Sequence, residues 1–454
     1  MNATRILIRG GSVVTVDDRL GTLPRGDILI EGATIAAVAP RLEAEDAAVI
    51  DASNMIALPG FVDAHRHSWQ AAIKQIAPDA DLGTYFTAVL GSLAPAYQPE
   101  DVYVGTLLGV LEALDAGVTT LFDWSHIQHT PAHTDAAVQA LRDAGGRAVF
   151  GYGFPNTGPE WFYESRLPHP TDARRVRASY FASDDQLVTM AMAVRGPELS
   201  TMDVTRHDWA LARELGLKLS VHVGNGAFGV PYRAIGRLDA AGLLGPDTQY
   251  VHNVSLDDAA IARLADTGGT VVVTPAVELQ MGFGLPATGR LMRHGLRPGL
   301  GVDVVTSTAT DLFTQMRATY QIERVLAAQR ADSQEPGAWP SLTTSDVLRL
   351  ATVDGARAAW LDHRVGSLTP GKQADVVLLR TDRLHLTPLN DVVGAVVLGA
   401  FAGDVDTVLV GGQVVKRGGA LLGVDVERLR AHATASRDRV VAAARRQPRL
   451  ESAA

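Results

Sequence analysis

Apolar and polar residues alternate through the first sixty positions in short runs, "RILIRGGSVVTV", "GDILIEGATIAAVAP" and "AVIDASNMIALPG", punctuated by Gly, Pro and Asp. Period-two alternation rich in β-branched residues predicts strands. The same texture returns late, in "QADVVLLR", "AVVLGA" and "VDTVLVGGQVVKRGG". Neither end alone supplies many strands, so the economical expectation is one small β-sandwich assembled from both, residues 1–59 with 365–422.

Between them, over residues 60–364, apolar runs alternate with amphipathic helical stretches. The runs are "GFVDAH", "GVTTLFDW", "GRAVFGYG", "LVTMAMAV", "LKLSVHVG", "TQYVHN", "TVVVTP" and "LRPGLGVDVV". Helical spacing in "PAHTDAAVQALRDAGG", "VTRHDWALARELG" and "SLDDAAIARLADTGG" separates several of them. Strand–helix alternation repeated eight times predicts a (β/α)8 barrel. The rival, a doubly wound open sheet, lacks its usual Gly-x-Gly-x-x-Gly turn here. The last stretch, 423–454, has helical spacing and many charges, and predicts a surface helix with a loose tail.

Barrels of this kind carry their reactive groups at the C-terminal ends of the strands. Of thirteen histidines, four meet that rule: His65 and His67 close the first run, His222 the fifth and His252 the sixth. Asp303 closes the eighth. Because residues i and i+2 share one side of a strand, His65 and His67 face the barrel mouth together while Arg66 points away. Imidazoles and a carboxylate converging on one point suit a divalent ion with a position left for water.

Composition narrows the chemistry. There is no cysteine, so thiolate ligands, disulfides and a cysteine nucleophile are excluded and any metal must sit on His, Asp or Glu. A formal charge of -9 argues against nucleic acid or an anionic membrane as partner and points to a small molecule. The N-terminus lacks the basic-then-apolar order of a signal peptide, and no window approaches the ~18 apolar residues of a membrane span. A cytoplasmic enzyme is expected.

"LPGFVDAHRHSWQ", "LSVHVG", "YVHN", "LGVDVVTS" and "VGSLTPGKQADVVLL" together resemble the amidohydrolase superfamily, in the mononuclear branch of cytosine and guanine deaminases and triazine hydrolases. The resemblance spans essentially the whole chain. It implies a distorted (β/α)8 barrel and one Zn²⁺ or Fe²⁺ bound by His65, His67, His222 and Asp303, with His252 orienting water or substrate. It also implies a homodimer. Members with two metals bridge them through a carboxylated lysine closing the fourth strand; "LVTMAMAVRG" has none, which favours a single ion.

The resemblance implies hydrolysis at an sp² carbon, with Asp303 as ligand and base and His252 stabilising developing charge. One position departs from it. Deaminases of this branch carry a glutamate three residues past the fifth-strand histidine, and here that residue is Asn225, an amide that cannot exchange a proton as a carboxyl does. Three explanations follow: Glu278 in "TPAVELQMGFG" replaces the carboxyl, the leaving group is one such as chloride that needs no proton, or the step is non-hydrolytic. The first-ranked function is a hydrolase acting on a small N-heterocycle or cyclic amide or amidine by deamination, dechlorination or ring C–N cleavage. The alternatives are a lyase, cyclase or isomerase on the same scaffold, and a non-catalytic binding scaffold.

Candidate substrate contacts are Trp69 and Gln70 beside the metal pair, Trp124 with His126 and His129 in the second loop, and Phe154, Asn156 and Trp161 in the third. Arg195 is the expected partner for an anionic group, and Asn225, Glu278 and Thr306 complete the wall. The remaining histidines, His133, His169, His207, His294, His363, His385 and His432, are expected on the surface.

Overall fold

A computed structural model describes residues 5–333 and 341–446. Strands from both chain ends share one nine-stranded mixed sheet. Its seam is the antiparallel pairing of Val376–Arg380 with Met55–Pro59, in register at Leu378 and Ala57. On one side the N-terminal strands Arg5–Val14, Thr22–Glu31 and Thr34–Ala39 follow, with Ala48–Asp51 also paired to the first of them; on the other lie Val405–Val410, Gln413–Arg417 and Ala420–Leu421. Alternation buries Ile6, Ile8, Ile28 and Ile30 against Val376 and Leu378 in one core. The sandwich expected from sequence is thus a single continuous hydrogen-bonded path.

The eight middle runs form eight parallel strands in chain order: Phe61–Arg66, Val118–Ser125, Arg147–Tyr152, Val188–Val194, Leu219–Val223, Thr248–His252, Thr270–Val273 and Gly299–Leu300. Helices intervene, among them Pro131–Asp143, Met202–Glu214 and Asp258–Thr267. Two start on side-chain caps: Thr201 accepts from Val204 N and Asp257 from Ala260 N, each satisfying an orphan donor of the first turn.

The barrel is nearly closed rather than closed. The eighth strand is two residues long, and just past it Asp303 makes one isolated parallel bridge to Arg66 of the first. There Asp303 N donates to His65 O at 2.8 Å, and His67 N to Asp303 O at 3.0 Å. Gly301 makes the approach possible, since a Cβ there would lie 2.8 Å from His65 O.

The "GKQADVVLL" stretch ties the terminal sheet to the barrel floor. Asp375 accepts two bonds from Arg147, at 2.9 and 3.0 Å, both side chains being buried, and a third from Gly411 N. A fork-on-carboxylate pair is geometrically specific and fixes register as well as charge. The C-terminal helix, Val426–Ala444, packs on helix Pro99–Asp115, where Ser436 Oγ donates to Asp101 at 2.7 Å. The tail after residue 446 lies outside the described residues. No helix among the described residues is long and apolar enough to cross a membrane.

Candidate active site

His65, His67, His222 and Asp303 converge at the C-terminal end of the barrel, with one ligand-capable atom from each within 4.8 Å of the others. His65 Nε2 lies 3.2 Å from both His222 Nε2 and Asp303 Oδ1, and His67 Nε2 3.1 Å from Asp303 Oδ1. Among the described residues this is the single group of this kind. Alternation delivers the first two as expected, and Arg66 turns the other way, buried against Asp63 and Glu112. Asp303 reaches the cluster from just past the eighth strand with φ of +65°, a left-handed backbone that the closing bridge holds in place.

Charge and tautomer favour a cation. Burial lowers His65 to about 4 and holds His222 well below the usual histidine range, so both rings are neutral near pH 7 and present lone pairs. His67 Nδ1 lies 2.7 Å from the carbonyl of Trp124; donating a proton there leaves Nε2 as the free lone pair facing the cluster. Asp303 Oδ1 faces the Nε2 atoms of His65 and His67 at 3.2 and 3.1 Å. Three lone pairs and a carboxylate aimed at one point repel each other unless a cation lies between them. The donor set therefore fits one divalent ion.

His252 stands beside this cluster, its Nε2 3.8 Å from Asp303 Oδ2. Its other nitrogen faces Thr274 Oγ at 3.0 Å and Glu278 Oε1 at 3.4 Å. Burial disfavours the charged ring, but the carboxylates of Glu278 and Asp303 prevail and raise its pKa above the ordinary value. Glu278 thus sits behind His252, also accepting from Thr274 N at 2.7 Å, and does not line the cavity over the cluster.

That cavity is strongly apolar. Leu82, Phe86, Phe154, Phe162, Leu199 and Phe283 are among its walls, and its polar lining is His67, His126, His222, Asn225, His252 and Asp303 together with Tyr85. Each methylene that a substrate buries in such surroundings contributes roughly 0.8 kcal/mol. Much of one wall comes from residues 82–93, a short helical turn running into a π-helical segment, Tyr85–Leu93. Sequence reading gave that segment no role, because an apolar helical pattern signals only a buried face.

The remaining candidates fall in three places. Trp124 lines the cavity, its indole N–H held by Ser220 Oγ at 3.2 Å, and His126 lines it with its ring 4.3 Å from that of His67. Trp69 lies behind His126, edge-on to Tyr97, and Gln70 donates to the Tyr85 hydroxyl at 2.6 Å; neither lines the cavity. Asn156 and Thr306 are also buried outside the lining, with both side-chain amide atoms of the one and the hydroxyl of the other lacking a protein partner. His129 packs against His133.

Arg195 differs from expectation. Its guanidinium is fully buried on Ser165 Oγ, Leu167 O and Asp208, and it lies against the faces of Phe154 and Trp161, each about 5 Å away. It is committed to supporting the aromatic wall, so an anionic substrate group has no access to it. Two histidines expected on the surface are buried as well: His133 faces Tyr97 O at 3.1 Å, and His169 faces Tyr152 O at 3.1 Å.

Glu198 was missed. It follows the fourth strand in "RGPELS", is 1% exposed, and accepts from Gly224 N and from Asn225 Nδ2, each at 2.6 Å. The one available signal was a carboxylate in a barrel-top loop, the same rule that singled out Asp303.

The family model for the amidohydrolase family matches residues 56–415. The chain belongs to the amidohydrolase family. A 5'-deoxyadenosine deaminase of Methanothermobacter thermautotrophicus is 29% identical over 435 residues, 93% of this chain and 95% of the relative. A 5-methylthioadenosine/S-adenosylhomocysteine deaminase of Pyrococcus abyssi is 26% identical over 94% of this chain and 98% of the relative. Among solved structures, a zinc-bound adenosine deaminase from Xanthomonas campestris superposes with a TM-score of 0.82 at 24% identity, covering 97% of this chain and 99% of the other. The zinc complex of atrazine chlorohydrolase from Arthrobacter aurescens gives 0.82 at 24%, covering 95% and 100%. This amidohydrolase is accordingly an enzyme, a hydrolase from a family whose members act on carbon–nitrogen bonds outside peptides. Non-hydrolytic and non-catalytic alternatives find no support among these relatives.

Proposed function

We propose that the chain displaces a leaving group from an sp² carbon of a small N-heterocycle by water, using one divalent ion, Zn²⁺ first, on His65, His67, His222 and Asp303. The observation that carries this is the convergence of those four side chains at the base of an apolar cavity that His67, His222 and Asp303 line. Zinc in the structural neighbours and the nitrogen-and-oxygen donor set support the choice of ion. When bound, such an ion acidifies water and polarises an electrophile.

The chain's own groups divide the remaining work. Asp303, which lines the cavity beside His252, accepts the proton of the attacking water. His252, oriented from behind by Glu278 and Thr274, hydrogen-bonds the charge that develops on the substrate. Trp124 and His126 line the space where a planar ring stacks. Asn225 takes the place of a proton-shuttling carboxyl, which favours leaving groups that depart without general-acid help, chloride before ammonia. The proposed homodimer rests on the family resemblance alone, whereas a small-molecule substrate is also what the formal charge of -9 favours.

The test is a panel of chlorinated and aminated azines offered to zinc-loaded protein, with chloride and ammonia release measured together. Chloride release faster than ammonia release is expected. Release of neither by metal-replete protein contradicts the proposal.

A further inference from the structure

We propose that Glu198 fixes Asn225 as a hydrogen-bond acceptor for a substrate N–H, and that the substrate is a neutral N-heterocycle bearing such an N–H and otherwise apolar substituents. This deepens the reading above and rests on it.

Glu198 spends both oxygens on the loop after the fifth strand. Oε1 accepts from Gly224 N at 2.6 Å, and Oε2 from Asn225 Nδ2 at 2.6 Å and, more distantly, Asn225 N at 3.5 Å. The cradle is built for it, since a Cβ on Gly229 would fall 2.8 Å from Oε2. Burial raises the carboxyl's pKa, and these N–H donors oppose the rise by solvating the charge.

A carboxylate offers only acceptors, so the face of the Asn225 amide turned toward it must be NH₂. That fixes the other end. Asn225 lines the cavity together with His222, His252 and Asp303, and no described residue donates to its Oδ1. The atom shown to the substrate is therefore a carbonyl oxygen with its lone pairs free. It reads an N–H, such as an exocyclic secondary amine or a lactam nitrogen, and repels a ring nitrogen lone pair.

The rest of the wall sets the other half of the specificity. Beyond the metal-binding floor, Asn225, His252 and His126, the lining is Leu, Phe, Met and Val side chains with Trp124, whose indole N–H is engaged by Ser220, and Tyr85, whose hydroxyl is engaged by Gln70. Arg195, the nearest guanidinium behind that wall, is occupied by Asp208. A ribose would lay its hydroxyls against apolar side chains, whereas alkyl groups fit.

The test measures binding, separately from turnover. Zinc-loaded protein is titrated calorimetrically with 2-methyl-4,6-bis(ethylamino)-1,3,5-triazine, which has no displaceable chlorine, and with its analogue methylated on both exocyclic nitrogens. The N–H form should bind at least tenfold tighter. Glu198→Gln lets the Asn225 amide turn over, because the new NH₂ donates to Asn225 Oδ1, and the preference should vanish or reverse while zinc content is retained. Asn225→Ala should also abolish it, giving a second route if the first variant folds poorly. Equal affinity of the wild type for the two probes, no binding of either, tighter binding of 5'-deoxyadenosine than of both, or a preference surviving in both variants overturns the inference. Preferential binding without chloride or ammonia release from reactive azines refutes the reaction and leaves this inference standing.

Discussion

The side-chain amide of Asn225 donates to Glu198 Oε2 at 2.6 Å, so the position where the family resemblance implies a proton-shuttling carboxyl is an amide clamped by a carboxyl from a neighbouring loop. Restoring the carboxyl at 225 alone sets two buried carboxylates against each other, and one must take up a proton or move. Asn225→Glu should therefore destabilise the fold, and Asn225→Glu with Glu198→Gln should recover part of the loss. A coupling of about 1–3 kcal/mol in a double-mutant cycle, read by urea unfolding, is expected. Additive effects contradict the contact.

Asp303 is the proposed ligand and base, and its backbone carries the bridge that closes the barrel. Asp303→Ala should lower zinc stoichiometry well below one per chain and reduce kcat/KM by about 10³-fold or more. Elemental analysis beside the kinetics checks it, and near-normal turnover contradicts the assignment.

Glu278 touches His252 and Thr274 without lining the cavity. In the proposed mechanism it positions His252, so Glu278→Gln should cut kcat by roughly 10–100-fold with zinc content and KM little changed. A rise in KM with kcat preserved would make it a substrate contact instead.

Burial opposes ionisation of Asp208, but His169, Arg195 and His207 outweigh it and depress its pKa to about 2. A carboxyl depressed in the folded state stabilises above its unfolded pKa, near 3.8, and loses that contribution as pH falls toward 2. Asp208→Asn, which leaves the buried Arg195 unpaired, should cost about 3–5 kcal/mol at neutral pH. Thermal unfolding from pH 6 to pH 3 should find the gap to wild type narrowing only below about pH 4. A gap constant across that range contradicts the pairing.

What the sequence made legible follows the range of the interactions involved. His65 and His67 were readable because strand alternation is local, and His222, His252 and Asp303 because barrel strands end at one face. Glu198 was not, since its partner Asn225 comes from a different loop and only the barrel's curvature joins them. Arg195 stood where an anion site was plausible, yet Asp208, thirteen residues on, claims it. His169 and His133 read as surface residues because the backbone carbonyls of Tyr152 and Tyr97, which receive them in the interior, carry no sequence signal.

The central claim is water-derived displacement that depends on one ion held by His65, His67, His222 and Asp303. Turnover of a chloro-azine in H₂¹⁸O by zinc-loaded protein, before and after chelation, tests it most directly. Product should carry one ¹⁸O in place of chlorine, form only with zinc bound, and reappear when zinc is restored. A product of unchanged mass, or turnover undiminished after the ion is stripped, contradicts it.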